Sequence, residues 1–397
     1  MAYLKILLIL IFSTSLIAQS KFDALNMRMH KFVDDEDLAG VQTLVIKDNK
    51  VLNFDTFGYS NIKEQKPLTK NSIFRIASMT KCIVSVAFMK LYDQGHFNLE
   101  DPINKYIPEF NNTLVDDGKS NYIKVFKPIR IVDLLRHTSG YGKSNPFLTA
   151  KFNHLKYFKS TDIKTEVERM SKILLYSEPG TEWGYGPSMN ICGYLIELIS
   201  GKKLDEFLKD EIFDPLNMTD TFFEIPAIKL NRFTTLYIKN NENNIVELDH
   251  PNDSSFTKKV TFFNAAGSLA STIKDFSQFC KMMLNKGELN GVQILKPKTV
   301  LLMTEDRLNG IPNAKPSNAN HKPNASVGFG LGFNVITDIQ RYPIEGSLGS
   351  YGWHGSSGTY FKIDPKVNLI LIFMTQMKGF EYSQKEIFES MVYKAVL

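Results

Sequence analysis

The chain has 397 residues, of which 43% are hydrophobic and 22% charged, with a formal net charge of +5. That is an ordinary globular composition, ample for a large buried core in one large domain or two to three small ones. The basic residues are scattered, without a Lys/Arg block or an aromatic–basic repeat, which excludes a nucleic-acid partner.

Residues 1–18 read as a secretion signal. Lys5 supplies the positive end, residues 6–12 the apolar run, and Ser13, Thr14 and Ser15 lead to cleavage after Ala18, with cleavage after Ser20 as the alternative. The run falls short of the roughly 20 residues that span a bilayer. An exported protein, periplasmic or secreted, with no membrane span after signal removal is therefore expected.

Further along, residues 41–46 and 51–57 are strand-like and flank the turn Lys47-Asp48-Asn49-Lys50, a hairpin. From Ser78 to Gly95 the apolar residues Ile83, Val86, Ala87 and Leu91 carry a helical period. A short helix at 129–136 ends in His137-Thr138-Ser139-Gly140, and a polar, Lys-rich stretch follows to about Lys172. Helices are expected at 189–200, closed by Gly201, and at 204–213, whereas 240–259 is polar and loop-like or a hairpin. Residues 271–284 form an amphipathic helix with Ser271 as its N-cap. Strands at 327–335, 359–363 and 368–374 and a helix at 384–396 complete the chain.

Strands at both ends and helices between them imply an α/β fold of the α+β type. One antiparallel sheet is drawn from both chain ends and flanked by helices, and a mainly helical lobe is inserted at about residues 103–260 of a single domain spanning 22–392. A site is expected in the cleft between the two. Cys82, Cys192 and Cys280 are odd in number and lie in apolar patterns, so buried free thiols are expected. The seven histidines are dispersed without metal-ligand spacing, and neither a metal nor a cofactor is expected.

The segment Phe74-Arg75-Ile76-Ala77-Ser78-Met79-Thr80-Lys81 contains S-x-x-K. The pattern also occurs at Ser60/Lys63, Ser200/Lys203, Ser255/Lys258 and Ser271/Lys274, so context must decide. The chemistry asks for a serine at a helix start, where N–H groups and the helix dipole meet an oxyanion. It also asks for a lysine one turn later, withdrawn from water so that a neutral amine can serve as base. Ser60 lies at a strand end, Ser200 closes a helix, and Ser255 lies in a polar loop. Ser271 opens an amphipathic helix where Lys274 has Asp275 as an expected surface partner. Only Ser78 precedes a largely apolar helix, with Cys82-Ile83-Val84 directly after Lys81.

The chain resembles the penicillin-recognising serine hydrolases: class C β-lactamases, D-alanyl-D-alanine carboxypeptidases and family VIII esterases. The resemblance is carried by FRIASMTK (74–81), DPINKYIPEF (101–110), IRIVDLLRHTSG (129–140), EPGTEWGYGPSMNICGYLIELISG (178–201), IFDPLNMTDTFF (212–223), AAGSLASTIKDFSQFCKMML (265–284) and GWHGSSGTYFKIDP (352–365). It implies the β-lactamase/transpeptidase-like fold, with Ser78 as nucleophile and Lys81 and Tyr185 as its proton-moving partners. Pro187 stands where the family's tyrosine motif has asparagine. Trp353 stands where its strand motif has a cation, followed by His354 and Gly355 as substrate-binding positions. Tryptophan can pack against an apolar acyl or alcohol group, and His354 either supplies partial positive character or faces solvent. The backbone N–H groups of Ser78 and Ser356 are the implied oxyanion donors. His137-Thr138-Ser139 is implied to be a structural loop, and Glu178-Pro179-Gly180 a turn.

The expected activity is acyl transfer from a small-molecule ester, amide or peptide to Ser78, then hydrolysis, with an ester favoured because the motif asparagine and cation are both missing. The alternatives are a β-lactamase or D-alanyl-D-alanine carboxypeptidase, and a non-catalytic binder of β-lactam or cell-wall peptide.

Overall fold

The structure is a computed structural model that describes residues 22–116, 121–142, 160–311, 326–379 and 382–397. Its centre is an antiparallel sheet built from distant parts of the chain. Strands β1 (Gly40–Lys47), β2 (Lys50–Asn61) and β3 (Lys66–Pro67) come from the N-terminal part. Strands β4 (Val327–Phe329), β5 (Asn334–Ile336), β6 (Tyr351–Gly355), β7 (Thr359–Asp364) and β8 (Leu369–Met374) come from the C-terminal part. The order across the sheet is β4-β5-β6-β7-β8-β1-β2-β3, and β1 joins the two parts by pairing Leu44 with Ile372 and Val45 with Leu371.

Strand β1 is buried along almost its whole length, because both faces of the sheet are covered. Leu44 and Ile46 share one core with Ile370, Ile372, Phe361 and Ile363. Val41 and Val45 point the other way, into a second core with Leu371 and Phe373. This second core is closed by a helix α1 at 22–34, through Leu25, Met29 and Phe32, and by the C-terminal helix, through Phe388 and Val392. Within it Glu389, fully buried, pairs with Lys362 and accepts a hydrogen bond from Tyr360 Oη at 2.7 Å.

The first core is completed by the helices α2 (Thr80–Asp93), α3 (Ile131–Leu135), α4 (Ile163–Met170), α5 (Ser188–Ser200), α6 (Leu204–Leu208), α7 (Ile273–Leu284) and α8 (Pro297–Thr304), with α9 (Tyr382–Val396) as the C-terminal helix of the second core. Helix α2 is buried from Thr80 to Met89, so it runs through the middle of the molecule rather than over its surface.

Several elements differ in detail from the sequence reading. Helix α7 starts at Thr272, whose Oγ1 accepts from Asp275 N at 3.1 Å. Ser271 instead lies in a two-residue strand paired with Phe74 and shares a hydrogen bond with Thr221. The Lys-rich stretch contains α4, capped by Asp162, and α6 runs on into a π-helical turn at Lys209–Phe213. The polar stretch after 240 supplies Ile245–Asp249, the outer strand of a hairpin with Leu236–Lys239. Residues 327–335 split into β4 and β5 around a turn in which Gly332 has φ +92°. Residues 1–18 and both cleavage points lie outside the described residues. Among the described residues no helix is long and apolar enough to cross a membrane, and all three cysteines are free and buried.

Candidate active site

The candidate nucleophile sits where a short strand gives way to α2. Phe74–Arg75 pairs with Ala270–Ser271, and the chain then turns through a single 3-10 turn, Ala77–Met79, into the helix. Ala77 adopts φ +45°, a left-handed conformation that costs a residue with a Cβ on the order of 1 kcal/mol and is often found at functional sites. Ser78 is partly exposed beside it.

Lys81 lies one turn later and is only 5% exposed. Cys82, Ile83 and Val84 are fully buried around it, so its side chain turns back along the helix toward the serine. Its Nζ donates to Ser78 Oγ at 3.2 Å and to the carbonyl oxygen of Ala266 at 2.5 Å. Ala266 belongs to a loop laced to the nucleophile turn: Ile76 N donates to Leu269 O at 3.0 Å, and Leu269 N donates to Thr80 Oγ1 at 3.1 Å.

Tyr185 comes from the segment before α5. The His137–Gly140 loop holds that segment by backbone bonds: Gly184 N donates to His137 O at 2.8 Å, Gly180 N to Thr138 O at 2.7 Å and Tyr176 N to Gly140 O at 3.1 Å. Ser139 Oγ meets Ser188 Oγ at 2.8 Å, tying the same loop to the first residue of α5. The loop thus aligns the tyrosine, and Glu178-Pro179-Gly180 is a turn within the segment it aligns. Tyr185 presents its ring to Lys81, with Nζ 4.8 Å from the ring centroid.

The third wall is β6. Trp353 faces the helical lobe, 5.3 Å from Tyr185 between ring centroids, and its Nε1 donates to Tyr185 Oη at 3.4 Å. Phe329 packs on Trp353 at 5.2 Å, and His137 lies 4.9 Å from Tyr185, making the wall continuous and aromatic. His137 belongs to it as a neutral ring, because burial, and then the nearby Lys81, hold its pKa down to about 3.

His354 lies on the opposite face of β6, across from Tyr360. Burial first, then Lys385 and Lys81, hold its pKa down to about 3. It is therefore not a source of positive charge near neutral pH, and its half-buried ring lies 4.8 Å from that of Trp353 between centroids. On that face a half-open pocket of about 180 Å³ is lined by His354, Ser356, Thr359, Lys378 and Lys385. Gly355 touches the nucleophile turn: a Cβ there would lie 2.4 Å from Ile76 O and 3.2 Å from Ala77 Cβ. The exposed Ser356 follows directly.

Ser78, Lys81, Tyr185, Trp353 and Gly355 thus converge, while His354 and part of the Ser356 surroundings belong to the neighbouring pocket. Of the other S-x-x-K serines, Ser60, Ser200 and Ser271 are taken up in local hydrogen bonds, and Ser255 is exposed. Ser60 Oγ donates to the carbonyls of Lys66 and Pro67, and Ser200 Oγ to Ile196 O. Asp275 turns inward rather than pairing with Lys274, and accepts from Asp220 N at 2.6 Å. Sequence reasoning missed Ala266 and the asparagines around it, because Ala266 contributes a backbone oxygen and no side-chain signal marks it.

The chain is similar to known proteins along most of its length. The β-lactamase family model matches residues 25–389. "Protein Rv1367c" of Mycobacterium tuberculosis is 31% identical over 350 residues, covering 85% of this chain and 86% of that protein. The N-acetylmuramyl-L-alanine amidase of Bacillus subtilis is 25% identical over 384 residues, 90% of this chain and 82% of that one. Among solved structures, EstCE1, a hydrolase with promiscuous acyltransferase activity, superposes with a TM-score of 0.81 at 20% identity, covering 95% of this chain and 99% of that one. The simvastatin synthase LovD of Aspergillus terreus superposes at 0.80, also at 20% identity, covering 94% and 98%. These two likenesses concern the fold.

Proposed function

This chain belongs to the β-lactamase family, and on that premise we propose that it is an exported serine hydrolase that cleaves carboxylic esters through an acyl-enzyme on Ser78. The observation that carries the reading is the buried Lys81 Nζ standing within hydrogen-bond distance of Ser78 Oγ, at 3.2 Å.

Ser78 Oγ attacks the substrate carbonyl while Lys81, with Tyr185 beside it, takes the hydroxyl proton. The carbonyl oxygen becomes an oxyanion held by the N–H groups of Ser78 and Ser356, a role supported by the close approach of Gly355 to the Ile76–Ala77 turn. The proton passes to the leaving alcohol as the C–O bond breaks. Water then attacks the acyl-enzyme, Tyr185 and Lys81 remove its proton, and Ser78 Oγ leaves with that proton.

An ester with an apolar acyl group suits the wall of Trp353, Tyr185 and Phe329, which brings no cation to the nucleophile. A second reading, a D-alanyl-D-alanine carboxypeptidase or β-lactamase, is favoured by one feature. Lys378 and Lys385 line the pocket beside Ser356 and could meet a substrate carboxylate there.

The test is hydrolysis of p-nitrophenyl butyrate beside a chromogenic cephalosporin and a D-Ala-D-Ala peptide, with intact-mass analysis after fluorophosphonate treatment. Preferential ester turnover and one adduct, lost in Ser78→Ala, are expected. Faster turnover of the cephalosporin or the peptide would select the second reading. An unlabelled wild-type protein without turnover would mean a non-catalytic binder.

A further inference from the structure

We infer that Asn190 is a positioning residue for Lys81, acting through the backbone of Ala266. The inference rests on the activated-serine reading above.

A neutral amine has two N–H bonds and one lone pair. To accept the Ser78 proton, Lys81 must aim the lone pair at Ser78 Oγ. One N–H anchored on the carbonyl of Ala266, at 2.5 Å, orients the amine. The position of that carbonyl oxygen therefore decides where the lone pair points.

Ala266 lies in a turn outside any strand ladder, so its position depends on what grips its own N–H. Two carboxamides do. Asn264 Oδ1 accepts the N–H at 2.9 Å from within the turn, and Asn190 Oδ1 accepts it at 3.2 Å from α5. Of these two grips, the bond from Asn264 fixes only the local shape of the turn. The bond from Asn190 fixes the turn relative to the helical lobe. Asn190 is 3% exposed, and a carboxamide buried to that extent is held where its hydrogen bonds are met.

Asn190 also stands five residues after Tyr185, and its own N–H donates to Pro187 O at 2.8 Å. The segment that carries the tyrosine and the residue that anchors the lysine are therefore tied through one side chain. Pro187 occupies the asparagine position of the tyrosine motif, and the carboxamide that reaches the lysine's anchor comes from the first turn of the next helix.

The experiment compares Asn190→Leu, which keeps the volume and loses the acceptor, with Asn190→Asp, which keeps an acceptor oxygen. Each is read by the rate of fluorophosphonate labelling, by kcat and KM on p-nitrophenyl butyrate, and by melting temperature. The leucine variant should label and turn over at least about tenfold more slowly with KM within about twofold, since small misplacements of a reacting group cost one to two orders of magnitude in rate. The aspartate variant should stay within about threefold of wild type, because the acceptor is retained. Wild-type rates in a folded leucine variant would overturn the inference, as would an aspartate variant as slow as the leucine one. If the leucine variant does not fold, Asn264→Ala decides. Labelling within about threefold of wild type keeps the anchor with Asn190, and a loss of about tenfold or more assigns it to Asn264. Absence of labelling in wild type removes the activated-serine reading itself, and this inference with it.

Discussion

Lys81 Nζ stands 4.8 Å from the centroid of the Tyr185 ring while the Tyr185 oxygen takes a hydrogen bond from Trp353 Nε1 at 3.4 Å. The phenol is thereby held between the candidate base and the aromatic residue that replaces the family's cation. Tyr185→Phe keeps the ring against Lys81 and removes only the oxygen. Since a positioned acid–base group contributes roughly 10²–10⁴-fold, ester turnover should fall by about that range with little change in melting temperature. Steady-state kinetics on p-nitrophenyl butyrate check this, and a loss below about threefold would remove Tyr185 from the proton path.

Gly355 has no room for a side chain. A Cβ would lie 2.4 Å from Ile76 O and 2.3 Å from Thr359 Oγ1, so Gly355→Ala must push β6 away from the nucleophile turn. On the proposed mechanism, that displaces the N–H of Ser356 from the oxyanion. Loss of one such donor costs about 10²–10³ in kcat, and a loss of that order is expected. The same variant should keep measurable fluorophosphonate labelling, since Ser78 and Lys81 are untouched.

The pair Lys362–Glu389 lies in the second core, on the face of the sheet away from Trp353, with side chains 5% and 0% exposed. Glu389→Leu strands a buried ammonium and leaves Tyr360 Oη without its acceptor. Urea denaturation should show a loss of about 3–5 kcal/mol, and the double variant Lys362→Met/Glu389→Leu should recover most of it. Ester hydrolysis by the folded double variant should match wild type.

Asp275 and Asp220 set opposite pH dependences within one contact. Burial raises the Asp275 pKa from 3.8 to about 6, whereas hydrogen bonding from Arg232 holds Asp220 at about 2. The folded state therefore binds the Asp275 proton more tightly than the unfolded chain does. That contribution is fully present below pH 4 and is lost as the pH rises through about 6. It amounts to at most about 3 kcal/mol. The Asp220 contribution runs the other way: it is present above pH 4 and is lost as the pH falls toward 2. Thermal melting from pH 7 to pH 4.5 should show a gain in wild type that Asp275→Asn lacks, and parallel curves for the two proteins would refute the assignment.

Much of this molecule is readable along the chain. The hairpin at the N-terminal end, the strands at the C-terminal end and the helices between them follow from hydrophobic period and turn residues, because those signals are local. Ser78 and Lys81 are also readable, since one helical turn separates them and the residues after Lys81 are apolar. The errors are local competitions. Ser271 and Thr272 are both capping residues, and the pairing of Ala270–Ser271 with Phe74–Arg75 decides in favour of Thr272.

What the chain order alone determines about this protein is therefore its element types, its serine–lysine pair and its family. Tertiary structure decides the rest. The His354 pKa is held down by burial that strand pairing beside Tyr360 gives it and by Lys385 and Lys81, which are distant in sequence. Lys81 is oriented by a backbone carbonyl 185 residues away, and Asn190 reaches that residue's N–H from another helix. A backbone oxygen has no residue type to announce it, and a neutral histidine looks like any other in sequence, so neither is legible until the chain has closed around them.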